Sequence, residues 1–302
     1  EVRPVMESFE SAVAEVPEGR EATHKFYVRR QIHPLVLSSP FAYRAFHKPL
    51  GYAGDYEMVN MMVRDPYEGG SLFAKLLNYS FLETAPVIAH RNRINYLSEA
   101  LRREAERNAQ AGKRTRILNL GCGPAHEIQR FLKNEDVSDL CDLTLLDFNA
   151  ETIEQTEKVL NRVRTQSGRV TPINLMQRSV HQLLRQATTG DTDLQWESYD
   201  FVYCAGLFDY LSQRVCRRLN DLFVRLLAPG GLMVVTNVST ANPSRAWMEF
   251  VVEWNLIYRD KKAMKEIAPL NGGQLDTDLK QDETGVNLFL EIRKHTTDGG
   301  RH

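Results

Sequence analysis

Apolar positions fall into two regimes along the chain. Up to about residue 112 they recur at helical spacing. YEMVNMMV sets Met58, Val59, Met62 and Val63 on one stripe, and SLFAKLLNYSFLE repeats the pattern with Leu72, Phe73, Leu76 and Leu77. A longer segment from Pro86 to Arg107 carries Val87, Ile88, Ile94, Leu97 and Leu101 and ends in the charged run RREAER. FAYRAFHKPL stops at a Pro-Leu-Gly break, and Gly112 with the basic KRTR closes the region. From Arg116 short apolar runs alternate with helices. RILNL, LTLLD, INLMQ, YDFVYCA and LMVVTNV read as strands, with AHEIQRFLK, AETIEQTEKVLNRVR, SVHQLLRQA and SQRVCRRLNDLFVRLL between them. Such alternation predicts right-handed crossovers and a mostly parallel sheet covered on both faces. NLFLEIRK adds a strand, and GGQLDTDLKQDETG supplies its hairpin partner, which brings the expected sheet to seven strands. The expected organisation is an α-helical cap over residues 1–112, binding the acceptor, and an α/β domain over 113–302.

Composition narrows the classes. The chain has 302 residues, enough for one large domain or a main domain with an appendage. Lys+Arg number 38 against 39 Asp+Glu, a net charge of -1, and the missing basic excess disfavours nucleic-acid binding. No apolar run reaches the roughly 18 residues a membrane helix needs. The opening EVRPVMESFE has no basic stretch running into an apolar core, so no secretory signal is expected. Cys122, Cys141, Cys204 and Cys216 stand far apart with no C-x-x-C pair, which fits a reducing, cytoplasmic setting and gives no zinc signature. The D-T-D repeats at Asp191, Asp193 and at Asp276, Asp278 read as loop charge rather than a metal site.

The most informative stretch is ILNLGCGPAHE, residues 117–127, where a strand runs into Gly121-x-Gly123. Glycine permits the tight turn and lets backbone N–H groups approach a ligand, and Pro124 suits a first helical turn. The helix N-terminus then offers donors and a partial positive charge. A dinucleotide fingerprint needs a third glycine where this chain has His126, and no G-K-[ST] follows for a P-loop. The second strand ends in Asp147, 26 residues after Gly121. In a doubly wound sheet that places a carboxylate where it accepts ribose hydroxyls; the alternative is an N-cap for the helix that follows.

Taken together, LNLGCGPAHE, LTLLDFN, YDFVYCAGLFDYL and LLAPGG, in that order, resemble the motifs of class I S-adenosylmethionine-dependent methyltransferases. The resemblance implies a Rossmann-like doubly wound fold and S-adenosylmethionine as cofactor. It implies that Gly121, Cys122, Gly123 and Pro124 line the methionine part, that Asp147 holds the ribose with Phe148 and Asn149 beside it, that Ser179 and Val180 flank the adenine, and that Cys204 and Ala205 face the cofactor. Arg93 or Arg91 is a candidate fork for the methionine carboxylate or for the acceptor's carboxylate, the alternative being a solvated basic face beside RREAER.

On the acceptor side, KPLGYAGDYEMVNMM reads either as a lid whose Tyr52, Asp55 and Tyr56 contact the sulfonium or the acceptor, or as a turn with an Asp N-cap and core tyrosine packing. GYAGDYEMVNMM with HRNR at residues 90–93 resembles a bacterial group known as 3-hydroxypalmitic acid methyl ester biosynthesis proteins, which implies a fatty-acid carboxylate as acceptor and active-site roles for Tyr52 and Asp55. Tyr210, at the exit of the fourth strand, joins them as a catalytic candidate. PSRAWMEFVVEWNLIYRD, residues 243–260, is expected to be a helix. Its stripe of Trp247, Phe250, Val251, Trp254 and Tyr258 is either core or, with Met58, Met61 and Met62, the lining of an acyl pocket. His24, His33, His47 and His181 show no partner that would make them a general base. The expected partner is a small-molecule or fatty-acid-like substrate, with no nucleic acid and no membrane span. Three alternatives stay open: methylation of N or O on another small molecule, transfer or cyclisation of the aminocarboxypropyl group, and a non-catalytic module that keeps the pocket.

Overall fold

Seven strands form one sheet: β1 (Thr115–Leu120), β2 (Cys141–Asp147), β3 (Ile173–Gln177), β4 (Tyr199–Cys204), β5 (Leu227–Val238), β6 (Leu275–Gln281) and β7 (Asn287–Lys294). Their order is β3-β2-β1-β4-β5-β7-β6, with β7 antiparallel to both neighbours and the rest parallel. The mostly parallel sheet is the one expected from the strand–helix alternation, and its order is the Rossmann-like doubly wound arrangement that the resemblance implies. The architecture comes from a computed structural model that describes residues 2–190, 192–269 and 274–296. Asp191 lies outside the described residues.

The chain divides into two units, neither of them contiguous: Glu1–Asn92 with Thr240–Leu256 and Glu283–Val286, and Arg93–Ser239 with Ile257–Asp282 and Asn287–His302. The first holds α1 (Arg3–Ala14), α2 (Glu21–Val36), α3 (Pro40–His47), α4 (Tyr56–Val63) and α5 (Leu72–Leu82). The division falls inside α6 (Ala85–Gln110), some twenty residues before the composition break at residue 112. The second unit adds α7 (His126–Asn134), α8 (Ala150–Gln166), α9 (Val180–Thr189), α10 (Gln213–Leu226) and α11 (Lys261–Glu266) to the sheet.

Strand side chains alternate between faces, and both faces are apolar, which is why these strands read as unbroken apolar runs. Ile117, Phe201 and Tyr203 pack on one side with Leu101, Phe131 and Leu160; Leu118, Val202 and Cys204 pack on the other with Leu183, Leu219 and Phe223. Each such fully buried side chain contributes about 2 kcal/mol of transfer free energy, so the strand ends are held firmly.

In the first unit Met58, Met61 and Met62 are buried among Val36, Phe41, Phe81, Leu82 and Val251. They are core, which removes them from any acyl pocket. The expected helix over 243–260 is also corrected: only residues 245–251 are helical, Trp247–Val251 as a π turn, and Glu253 at φ 55 breaks the chain direction. Side chains from α1 and α2 replace the missing ladder. The Glu10 carboxylate accepts from the N–H groups of Ala246 and Trp247, both at 2.8 Å. At the other end Arg29 donates to the Phe250 carbonyl at 2.7 Å, and His33 Nε2 meets the Val251 carbonyl at 2.9 Å. Trp247 packs edge-on to Phe9 and against Phe81.

Candidate active site

The strand order reverses between β1 and β4, so the crevice outside their carboxyl ends is where an open parallel sheet takes a ligand. Here the glycine loop lies against the end of β2. Gly121 and Cys122 both donate to the Leu146 carbonyl, at 2.8 and 3.0 Å, and Gly123 N–H donates to Asp147 Oδ2 at 3.1 Å. Gly121 (φ 72), Gly123 (φ 51) and Ala125 (φ 52) are left-handed, a conformation that costs a residue with a Cβ about 1–2 kcal/mol. Ala125 carries that strain at the N-cap of α7, while Thr156 and Gln129 donate to the carbonyls of Gly123 and Pro124 at 2.7 and 2.6 Å and fix the turn.

Asp147 is 5% exposed, and burial pushes its carboxyl above the ordinary value against the lowering effect of the Asn149, Gly123 and Phe148 N–H groups. It is not the cap of α8: Asn149 is, accepting from Thr152 N–H at 3.0 Å. Asn149 is therefore committed to the helix. Phe148 beside it is 48% exposed. Ser179 caps α9 in a reciprocal box with Gln182, so its hydroxyl and its N–H are engaged within the helix start, and half-buried Val180 packs on the core. Cys204 is wholly buried with its thiol in the core, which leaves its backbone as the group at the strand end, and Ala205 packs on the opposite cluster.

Gly206 follows β4 at φ 83, and a Cβ there would stand 3.0 Å from both terminal nitrogens of Arg93. The guanidinium therefore lies flat against this glycine. Burial lowers its pKa, opposed by the charges of Asp209 and Glu127, and an arginine so placed stays cationic. Arg91 is different: it donates to the Leu82 carbonyl and to Glu83, both at 2.9 Å, and ties helix ends together in the first unit.

Two groups had no sequence signal. Glu127, 7% exposed on α7, accepts from Tyr203 hydroxyl at 2.8 Å and Asn119 Nδ2 at 3.3 Å, and its carboxyl is raised by burial. Arg259, 2% exposed, donates to the carbonyls of Phe208 and Leu211 and to Asn237 Oδ1. It clamps the 3-10 turn Phe208–Tyr210, with Asp209 accepting from Val238 N–H at 2.6 Å, and so fixes the base from which half-exposed Tyr210 projects.

In the first unit Asp55 is wholly buried. It accepts from Glu57 and Met58 N–H at 3.0 and 2.9 Å as the cap of α4, and from Arg44 Nε and Nη2 at 2.9 to 3.1 Å. A carboxylate so engaged matches the N-cap alternative for this turn and leaves few acceptor sites for a ligand. Tyr52 and Tyr56, on either side of it, are half-buried. Of the histidines, His24 and His47 bond carbonyls of their own helices at 3.0 and 2.9 Å, and His181 is exposed. Asp193 pairs with Arg178, Asp276 with His295 and Asp278 with Lys280.

The chemistry of the crevice residues fits an adenosyl group with a sulfonium tail. A Cβ on Gly123 would meet nothing within 4 Å, and Asn119 Oδ1, two residues before Gly121, is buried with no hydrogen-bond partner among the described residues. Asp147 keeps acceptor sites beyond those its own loop uses. Gly121–Pro124, Asp147, Phe148 and Arg93 are the groups that would hold it.

Fold and crevice together define a Rossmann-like enzyme with a nucleoside-binding edge. A family model described as a methyltransferase domain matches residues 111–285, more than half of the chain, and the chain belongs to that family. It is a class I methyltransferase that uses S-adenosylmethionine. Solved structures similar to it include a possible exported protein from Bordetella parapertussis, at 16% identity and TM-score 0.62, covering 93% of this chain and 100% of that one. The magnesium protoporphyrin IX methyltransferase of Synechocystis PCC 6803, solved with S-adenosylhomocysteine, matches at 10% identity and TM-score 0.52, covering 83% and 97%. The CurJ carbon methyltransferase matches at 12% and 0.52, covering 91% and 71%. At these identities the likeness is one of fold. No curated protein matches the chain. Among the described residues no helix is long and apolar enough to cross a membrane.

Proposed function

We propose that the enzyme methylates the carboxylate of a small, lipid-like acceptor of the 3-hydroxy fatty acid type, in a reducing, cytoplasmic setting. Two things support the carboxylate: the resemblance of GYAGDYEMVNMM with HRNR, and the state of His126. The imidazole of His126, at the first position of α7, is held down to about 4 by burial and by Arg130, so near neutral pH it is uncharged and a poor proton acceptor. An acceptor that arrives already ionised needs no general base, unlike a hydroxyl or ammonium. The bound cofactor supplies an electrophilic methyl group. The protein's part is to align and desolvate the acceptor oxygen. Asp147 orients the ribose, Arg93 neutralises the methionine carboxylate, and Gly121, Cys122, Gly123 and Pro124 admit the chain between them. Asn149, Ser179, Val180, Cys204 and Ala205 act through backbone and shape. Tyr52, Tyr56 and Tyr210 act on the acceptor, and residues 1–112 form the acceptor-binding region. The resemblance of GYAGDYEMVNMM supports the acyl character.

The test is incubation with S-adenosylmethionine and 3-hydroxy fatty acids of graded length, with products read by mass spectrometry. Methyl ester and S-adenosylhomocysteine in equal amounts are expected. Methylthioadenosine in place of S-adenosylhomocysteine would assign the enzyme to aminocarboxypropyl chemistry, and turnover only with hydroxyl or amine acceptors would remove the carboxylate.

A further inference from the structure

We propose that the chain forms a symmetric homodimer through the outer face of α5, with the two-fold axis passing beside Leu76. The helix LFAKLLNYSFL is apolar on both sides. Ala74, Asn78, Phe81 and Leu82 face the core of the first unit, while Leu72 is 74% exposed, Phe73 53%, Leu76 51% and Tyr79 37%. Tyr67, 51% exposed, stacks on Tyr79 at 5.0 Å with the rings 3° from parallel and extends the same face. A helix apolar all round belongs in a buried position, and contiguous exposed patches of this kind mark association sites. Lys75 is the charged residue within the helix and lies at the margin of the stripe by helical geometry, and Glu83, which follows the helix on the same side, is neutralised by Arg91.

The area argues for a second copy. Taking about 200 Å² per side chain, the exposed parts of these five residues come to roughly 500 Å². Two copies would bury about 1,000 Å² from the stripe alone, the threshold for a specific interface, before any flanking surface is counted. A two-fold interface uses one patch twice, so the patch must complement itself. An antiparallel α5 pair centred on Leu76 does this: Phe73 meets Tyr79 of the second copy, and Leu76 meets its own equivalent.

Sedimentation velocity of the full chain at micromolar concentration should give twice the 34.6 kDa chain mass. Leu76→Glu brings two carboxylates together at the axis and should raise the dissociation constant about 100-fold or more. Because Leu76 is half exposed, this variant should still bind S-adenosylhomocysteine, which shows that it is folded. Leu76→Cys should form a disulfide-linked dimer under mild oxidation, and only through the new thiol, since Cys122, Cys141, Cys204 and Cys216 are all buried. A wild-type monomer at 100-fold higher concentration, a dimer indifferent to Leu76→Glu, or a dimer in which Leu76→Cys does not cross-link would each overturn the proposal.

Discussion

Replacing Asp55 separates two explanations of the same side chain. Its carboxylate has no exposed surface and pairs with an Arg44 side chain that retains 22% exposure. Removing one partner of a buried pair strands the other charge, at about 3–5 kcal/mol; the partial exposure of Arg44 sets the lower end, about 3 kcal/mol, for Asp55→Asn. Asparagine keeps an oxygen for the Glu57 and Met58 N–H groups, so the cap survives. Asp55→Ala loses the cap as well, a further cost of about 1 kcal/mol and about 4 kcal/mol in all. Converting Arg44 to Met in the Asp55→Asn background removes the stranded cation and should recover more than half of the loss. The assay is urea unfolding followed by tryptophan fluorescence, since Trp247 and Trp254 belong to the first unit and Trp196 alone to the second. Loss of stability in that order, with recovery in the double variant, marks a positioning residue. An Asp55→Asn enzyme as stable as wild type but unable to transfer methyl would refute the reasoning and return the carboxylate to the chemistry.

Two further outcomes are expected. His126 binds its proton less tightly when folded, with the pKa lowered from 6.5 to about 4, so its contribution is complete above the unfolded value and is lost as pH falls through 6.5 toward 4. Between pH 7 and pH 5 wild type should lose about 2 kcal/mol that His126→Gln keeps, and parallel unfolding curves for the two proteins would contradict this. Gly206→Ala places a methyl 3.0 Å from the Arg93 guanidinium at φ 83; calorimetry should show S-adenosylhomocysteine binding weakened about 10-fold or more, and an unchanged affinity would remove Arg93 from the cofactor side.

Much of the second unit was legible because its signals are local. LTLLD, YDFVYC and NLFLEIRK announce strands through apolar runs, and Gly121-x-Gly123 announces the turn through backbone geometry that only neighbouring residues determine. Asp147 was legible as a crevice residue from its spacing, although Asn149 proved to be the helix cap. What escaped depends on distant partners. The 243–260 segment carries helical periodicity, yet its backbone groups are satisfied by Glu10, Arg29 and His33, more than two hundred residues away, and that support favours a π turn. The methionine stripe was visible, but not which surface would cover it. Arg259 and Glu127 look like ordinary charged residues in sequence; burial with hydrogen-bond partners from other elements gives them their roles.

The three-segment make-up of the first unit has a consequence for biosynthesis. Trp247 and Val251, with Phe250 against Phe9, complete packing begun by residues of the first 92 positions, yet they are translated more than 150 residues later. At ordinary elongation speeds that interval lasts about 10 to 30 s. During it the growing polypeptide holds Met58, Phe81 and Leu82 with an unfinished interior, while β1 to β5 are added strand by strand. Nascent-chain stability should therefore rise late and in a single step, when the insertion emerges from the ribosome and closes the N-terminal helices.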